Sequence, residues 1–180
     1  SGGPHTGNGP DDGVIAKFNA TTGALETAVQ VVAAGAPDAA DTYLSGIAIA
    51  SNGDVVVAGE TNGLVVTGAS HVAGKSDVLI MCYNAALTSN IWMTQDSVGY
   101  DQDAYDLALD RNGDVVVCGD TYSQSAGGKV AGSSSSALFE KFSGSTGANV
   151  WRSVVSSSGT FDDCQAVAVD ASGKIGRAHV

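Results

Sequence analysis

Large and small apolar residues alternate in Gly46-Ile47-Ala48-Ile49-Ala50, and the pattern returns 60 residues later in Asp106-Leu107-Ala108-Leu109. A period of two puts Ile47 and Ile49 on one face of a β-strand and Ala48 and Ala50 on the other. Both sets are apolar, so both faces are expected to be buried. Each run leads into Asn-Gly (Asn52-Gly53, Asn112-Gly113). A triple valine follows (Val55-Val56-Val57, Val115-Val116-Val117), closed by Gly59 or Gly119. Asn-Gly between apolar runs is a strong hairpin signal. The expected turn is type I′, with positive φ at both central residues.

Residues 47–61 (IAIASNGDVVVAGET) and 107–121 (LALDRNGDVVVCGDT) share nine of fifteen positions, and a third, shorter copy begins at Val167 as VAVDASGK. Self-similarity at a fixed long period marks a repeat architecture. Two further strands follow each hairpin: 77–83 and 90–96 in the first unit, 137–142 and 149–155 in the second. Phe18, Tyr83 and Phe142 are equivalent positions, spaced 65 and 59 apart. Trp92 and Trp151 follow the last two by nine residues, while Thr27 stands at that place in the first copy. The tryptophans read as packing between units. The linkers 62–76 and 122–136 are rich in Gly and Ser and are expected to form the variable surface.

The expected fold is therefore all-β: a partial, unclosed β-propeller of four-stranded antiparallel blades, two complete and two half. An inner strand that alternates large with small suits a tapering space where sheets converge. The expected boundaries are a loop lead-in over 1–11 and a propeller fragment over 12–174. That fragment divides into a half blade (12–36), blades over 41–97 and 101–158, and a half blade over 162–174. Residues 175–180, IGRAHV, break the valine template and resemble one reading frame of a sequencing adapter. They read as a non-native tail and a poor central strand. Four blades of 60 residues would need more chain than this, so the fragment is expected to expose two apolar blade faces and to be marginally stable alone.

The chain resembles the β-propeller repeats called SBBP repeats, which are related in pattern to NHL repeats. The residues that carry the likeness are Gly46-Ile47-Ala48-Ile49, Asn52-Gly53-Asp54, Val55-Val56-Val57 and Gly59-Glu60-Thr61, with their partners in 107–121. Ile15 to Asn19 and Phe139 to Phe142 look like the family's third strand. The resemblance implies a scaffold of extracellular or surface proteins and brings no common catalytic residues. A lesser likeness, in Ser145-Thr146-Gly147-Ala148-Asn149-Val150-Trp151, is to the docking motif of PQQ-type propeller repeats.

Composition changes this picture little. Hydrophobic residues make up 43% and there are 24 glycines, which suits an all-β chain rich in turns. The net charge is −11, so duplex nucleic acid and anionic membranes are poor partners. Cys82, Cys118 and Cys164 show no metal-ligand spacing, and a disulfide framework is not expected. No apolar run is long enough for a transmembrane helix, and neither an initiator Met nor a signal peptide opens the chain.

Acids precede each inner strand: Asp38 and Asp41; Asp101, Asp103 and Asp106; Asp162 and Asp163. Asp101, Asp103 and Asp106 are the candidate metal ligands, with Ca2+ the ion that such oxygens would suit. The preferred reading is that these side chains cap turns and bond neighbouring amides. No other cofactor is expected. His5, His71 and His179 accompany no nucleophile motif. Asn19-Ala20-Thr21 is a glycosylation sequon on an expected turn. Asn52, Gly53, Gly59, Asn112, Gly113, Gly119, Trp92 and Trp151 are expected to be structural. The function this implies is a non-enzymatic, extracellular scaffold that binds protein or glycan and partners the remaining blades of a larger protein. The alternative is a fragment of a propeller enzyme, quinoprotein-like or glycan-active, with its catalytic residues in other blades.

Overall fold

The computed structural model describes residues 11–33, 40–122, 135–156 and 161–178. Apart from Asp11, the 1–11 lead-in lies outside them, His5 included, as do Asp38, most of the second linker and His179. Among the described residues the chain is all-β, with twelve strands and no helix. No helix of these residues is long and apolar enough to cross a membrane.

The strands are β1 (Gly13–Phe18), β2 (Leu25–Val31), β3 (Thr42–Ile49), β4 (Val55–Thr61), β5 (Asp77–Tyr83) and β6 (Asn90–Asp96) in the first half. The second half holds β7 (Gln102–Leu109), β8 (Val115–Thr121), β9 (Ser136–Phe142), β10 (Asn149–Val155), β11 (Ala166–Val169) and β12 (Ile175–Ala178). They form four antiparallel sheets: β1-β2, β3-β4-β5-β6, β7-β8-β9-β10 and β11-β12. Each four-stranded sheet is a meander in sequence order, the simplest topology for strands joined by hairpins.

Burial on both faces of the valine runs explains how the sheets stack. Val55 and Val57 pack with Ile15 and Val31 of the β1-β2 hairpin. Val56 and Ala58, one residue out of phase, pack with Leu107, Val115 and Val117 of the next sheet. In that sheet the opposite face, with Val116, Cys118 and Phe139, packs with Val167 of β11. The four sheets thus form consecutive layers in chain order, and β3, β7 and β11 are neighbours.

Two expectations are corrected. The inner strand of the first unit is not buried on both faces: Ile47 and Ile49 are 60% and 63% exposed. The hairpin turns are not type I′. Gly53, Gly113 and Gly173 have φ of 90°, 83° and 83°, whereas Asn52 and Asn112 do not enter the left-handed region. Gly53 N–H donates to Ala50 O (2.8 Å) and Ala50 N–H to Asp54 O (2.8 Å), and the second hairpin repeats both bonds. This is a type I turn followed by a left-handed glycine bulge. Asn52 keeps negative φ and uses its Oδ1 to accept from Asp54 N–H (3.1 Å). At the C-terminus the stretch that reads as a poor central strand occupies an outer position. Residues 175–178 do form a strand, with Val169 opposite Ile175 and Val167 opposite Arg177. Pairing runs through the main chain, so Gly and Arg are tolerated at the outer strand of a two-stranded sheet.

Two bulges set the approach of the inner strands. Register shifts between Leu44 and Gly46 opposite Gly59, and between Ala104 and Asp106 opposite Gly119. A Cβ on Gly59 would strike Tyr43 O, and one on Gly119 would strike Asp103 O. Gly46 meets the next inner strand directly: a Cβ there would lie 2.9 Å from the backbone N of Leu107. Ser45 Oγ donates to Ala104 O across the same seam.

Candidate functional site

The strand ends at the C-terminus of β4 and β8 and the N-terminus of β7 bring acids from two sheets together. Glu60 shares a hydrogen bond with Asp103, and Tyr105 Oη donates to Asp120 Oδ1 (3.2 Å). Burial, then the negative charge of Asp103, pushes Glu60 up from 4.5 to about 8. The same two causes raise Asp120 from 3.8 to about 6, against a pull downward from Ser135 and Tyr105. Burial followed by Asp120 raises Tyr105 well above its ordinary value. Both causes favour the protonated form of Glu60, which can donate a hydrogen bond.

Beside this group opens a cleft of about 240 Å³, lined by Asp41, Tyr43, Glu60, Asn62, Lys75 and Asp101 among others. Lys75 Nζ donates to Asp101 Oδ2 (2.8 Å), and Ser76 N–H donates to Asp101 Oδ1 (3.1 Å). Tyr43 Oη donates to Asp11 Oδ2 (2.9 Å). The cleft thus presents carboxylates, an amide, an ammonium and an aromatic ring, which suits a polar, hydroxyl-bearing ligand better than an apolar one.

The three candidate metal ligands divide. Asp101 and Asp103 meet at Ser76, whose Oγ donates to Asp103 Oδ1 (2.7 Å). Asp106 turns away and accepts from Val167 N–H of β11 (2.9 Å). Among the described residues no group of three or more His, Cys, Asp or Glu is placed to hold a metal ion. Asp41 Oδ1 accepts from Asp11 N–H (3.3 Å). Trp92 is buried between two sheets, Trp151 is partly buried against β11, and the three cysteines are buried and free.

Other polar groups were not apparent from the sequence. His71 Nδ1 lies 2.7 Å from Asp77 Oδ2, and Gln95 Nε2 donates to the same oxygen (2.7 Å). Gln95 Oε1 accepts from Val65 N–H and Val66 N–H, so the buried Asp77 and Gln95, with the partly buried His71, tie the 62–76 linker to β5 and β6. The signal available was a polar residue inside an otherwise apolar strand run. Glu140, with no exposed surface, bonds Arg152, which also donates to Asp96 Oδ2 (2.8 Å). Burial pushes Glu140 from 4.5 up to about 7, although Arg152 pulls it down. Asp110 and Asp170 cap the second and third hairpin turns by accepting backbone N–H groups.

Compared with known proteins, the chain matches no family model and has no significant match among curated sequences.

Proposed function

We propose that the chain is a non-enzymatic β-propeller repeat scaffold of the SBBP type, a binding module whose ligand end is the acidic cleft beside Glu60 and Asp101. One observation supports this reading above others. The interface that joins the two central sheets recurs between the second of them and β11, with β3, β7 and β11 side by side and large residues of one strand against small residues of the last. Sheets related by one repeated interface form a radial array when the interface turns them about an axis. The acids at the rim are bonded mainly to one another and to Lys75, Ser76 and Tyr105, as befits a preformed rim. Further sheets of the same kind, the remaining blades of a larger protein among them, would complete the array. An extracellular setting belongs to the same proposal, since the sequon residue Asn19 stands on an exposed turn.

A glycan array probed with the native chain and with Asp101→Asn and Tyr43→Ala variants tests the binding site. Binding to a defined glycan that both substitutions weaken at least tenfold supports it. Binding that neither substitution affects rejects the cleft as the ligand end. Small-angle scattering tests the radial arrangement: a curve fitted only by flat, parallel stacking would reject the propeller.

A further inference from the structure

Two cysteines replace two alanines where the seam between sheets occurs a second time. At the first seam Ala58 of β4 and Ala104 of β7 are buried in one cluster, and Ser45 Oγ lies within hydrogen-bond distance of both their carbonyl oxygens. The matching places, 60 residues later, hold Cys118 of β8 and Cys164, which leads into β11. Both are fully buried in the cluster that joins these layers. Small side chains on both sides of a seam let two backbones come close, and here a thiol stands on each side. Cys164 N–H donates to Gly119 O (3.1 Å), and Cys118 Sγ donates to Cys164 O (3.0 Å). The two thiols also share a hydrogen bond. Cys82 belongs to the other cluster.

We propose that Cys118 and Cys164 are a redox pair that closes to a disulfide and staples the β11-β12 hairpin to the β7-β8-β9-β10 sheet. Thiols that already share a hydrogen bond meet by rotation about Cα–Cβ, the movement that brings two sulfurs to bonding distance when the backbones are already close. The two residues are 46 apart in sequence, so the bond closes a long loop and restricts the unfolded chain strongly. The inference stands on the seam between β8 and β11 and holds whatever ligand the acidic cleft takes.

The oxidant is a small disulfide of the glutathione class. With the hairpin closed, burial and then the hydrogen bond with Cys164 hold the Cys118 thiol well above its ordinary value, so it stays protonated and unreactive. The seam therefore opens at β11 before reaction. In the opened state the thiolate of one cysteine attacks glutathione disulfide and releases one glutathione thiolate. The thiolate of the other attacks the mixed disulfide and releases the second. Two protein thiols and one glutathione disulfide become one protein disulfide and two glutathione thiols, with both protons passing to the departing sulfurs. Asp106 Oδ2 accepts from Val167 N–H (2.9 Å), holds β11 in place and so gates the reaction. An oxidising compartment favours the stapled form, and a reducing one the unlinked form.

The test uses the full chain, equilibrated in glutathione buffers from fully reduced to fully oxidised, quenched with acid, then unfolded and alkylated with iodoacetamide. In oxidised buffer the chain should stay single, carry its alkyl group at Cys82 alone, and yield a linked Cys118–Cys164 peptide that a reductant separates. Alkylation of all three cysteines in every buffer, a bond to Cys82, or bonds only between chains overturns the proposal. Cys118→Ala and Cys164→Ala each restore the residue that the first seam carries at that place. A bond within the chain that persists in either variant overturns the pairing. Hydrogen exchange reads the staple itself: amides of β11 and β12 should exchange about a hundredfold slower or more in the oxidised chain than in the reduced one, with β4 and β5 unchanged. Oxidation without that slowing overturns the staple. Asp106→Ala should speed oxidation about tenfold or more, in step with easier opening of β11; an unchanged rate overturns the gate.

Discussion

Trp92 and Gly144 are 52 residues apart in sequence and joined across two sheets: the indole Nε1–H donates to Gly144 O at 2.8 Å. The ring lies over Gly147, whose φ is 70°, and a Cβ there would come within 2.5 Å of Trp92 Cε3. Thr94 Oγ1 donates to Gly147 O (2.7 Å) from the same strand as Trp92. One sheet's fourth strand is thus bolted to the next sheet's last turn. Gly147→Ala meets a left-handed backbone and a fixed ring together and should destabilise by about 3 kcal/mol. Trp92→Phe keeps most of the apolar area but loses the N–H, and should cost about 1–2 kcal/mol. Urea unfolding followed by circular dichroism measures both.

Glycines at two kinds of position should respond differently. Gly113 has φ of 83°, and a Cβ there would have no neighbour within 4 Å, so Gly113→Ala adds only the left-handed penalty of about 1–2 kcal/mol. Gly119 sits opposite the β7 bulge, where a Cβ would strike Asp103 O. Gly119→Ala must move the backbone of β7 and should cost about 3 kcal/mol or more. Equal losses of thermal stability in the two variants would contradict the bulge as the reason for Gly119.

Much of this architecture is legible in the sequence because burial on both faces leaves a strong mark in the triple valines, which predict β4 and β8. The period-two alternation around Ile47 and Leu107 predicts the cores of β3 and β7, but not that Ile47 and Ile49 are exposed where Leu107 is buried. The starts of β3 and β7 escape the pattern. Their bulges, at Leu44/Gly46 and Ala104/Asp106, shift the phase of the alternation, so Thr42 and Gln102 read as loop. The acidic rim is visible residue by residue, but not as a unit. Glu60 lies within a strand and Asp103 at the start of one in the next sheet, and only the stacking of sheets joins them. Asp77 and Gln95 are hidden for the same reason: side chains that clamp a linker from inside a sheet have no periodic signature.

The buried acids predict how stability depends on pH. Unfolded, Glu140 loses its proton near its ordinary 4.5; folded, burial holds the proton until about 7. Asp120 and Glu60, raised to about 6 and about 8, behave alike. A raised carboxyl favours folding below its unfolded value, and that advantage is lost as pH rises through the folded one. The melting temperature should therefore fall between pH 4 and pH 8. Asp110 runs the other way. Burial pushes it up, but Lys141 and the amides of Asn112 and Asp114 outweigh that and hold it below 3.8, so its effect appears only in stronger acid. Glu140→Gln should flatten the curve between pH 4.5 and 7 by about 3 kcal/mol at most. A variant as pH-dependent as the parent would show that Glu140 is not a source.

Asp106 occupies the place that Gly46 holds one repeat earlier, and does by side chain what Gly46 does by close approach. Gly46 lets backbone meet backbone at Leu107. Asp106 Oδ2 instead accepts from Val167 N–H at 2.9 Å and so fixes the start of β11 to β7. The bond is charge-assisted and partly shielded from water, so its loss should cost about 1–3 kcal/mol. The loss should be local, because Val167 and Cys164 are the buried apolar contacts that otherwise hold this hairpin. Hydrogen exchange on Asp106→Ala should show amides of β11 and β12 exchanging about tenfold faster or more, for a loss of about 1.4 kcal/mol or above, while β4 and β5 keep their protection. Asp106→Asn, which retains an acceptor oxygen, should recover most of it. Millimolar calcium should leave the native protein's exchange and melting unchanged, since Asp106 is committed to β11 and Asp101 to Lys75 and Ser76. A calcium-dependent rise in melting that Asp101→Asn or Asp106→Asn abolishes would reassign these carboxylates to a metal.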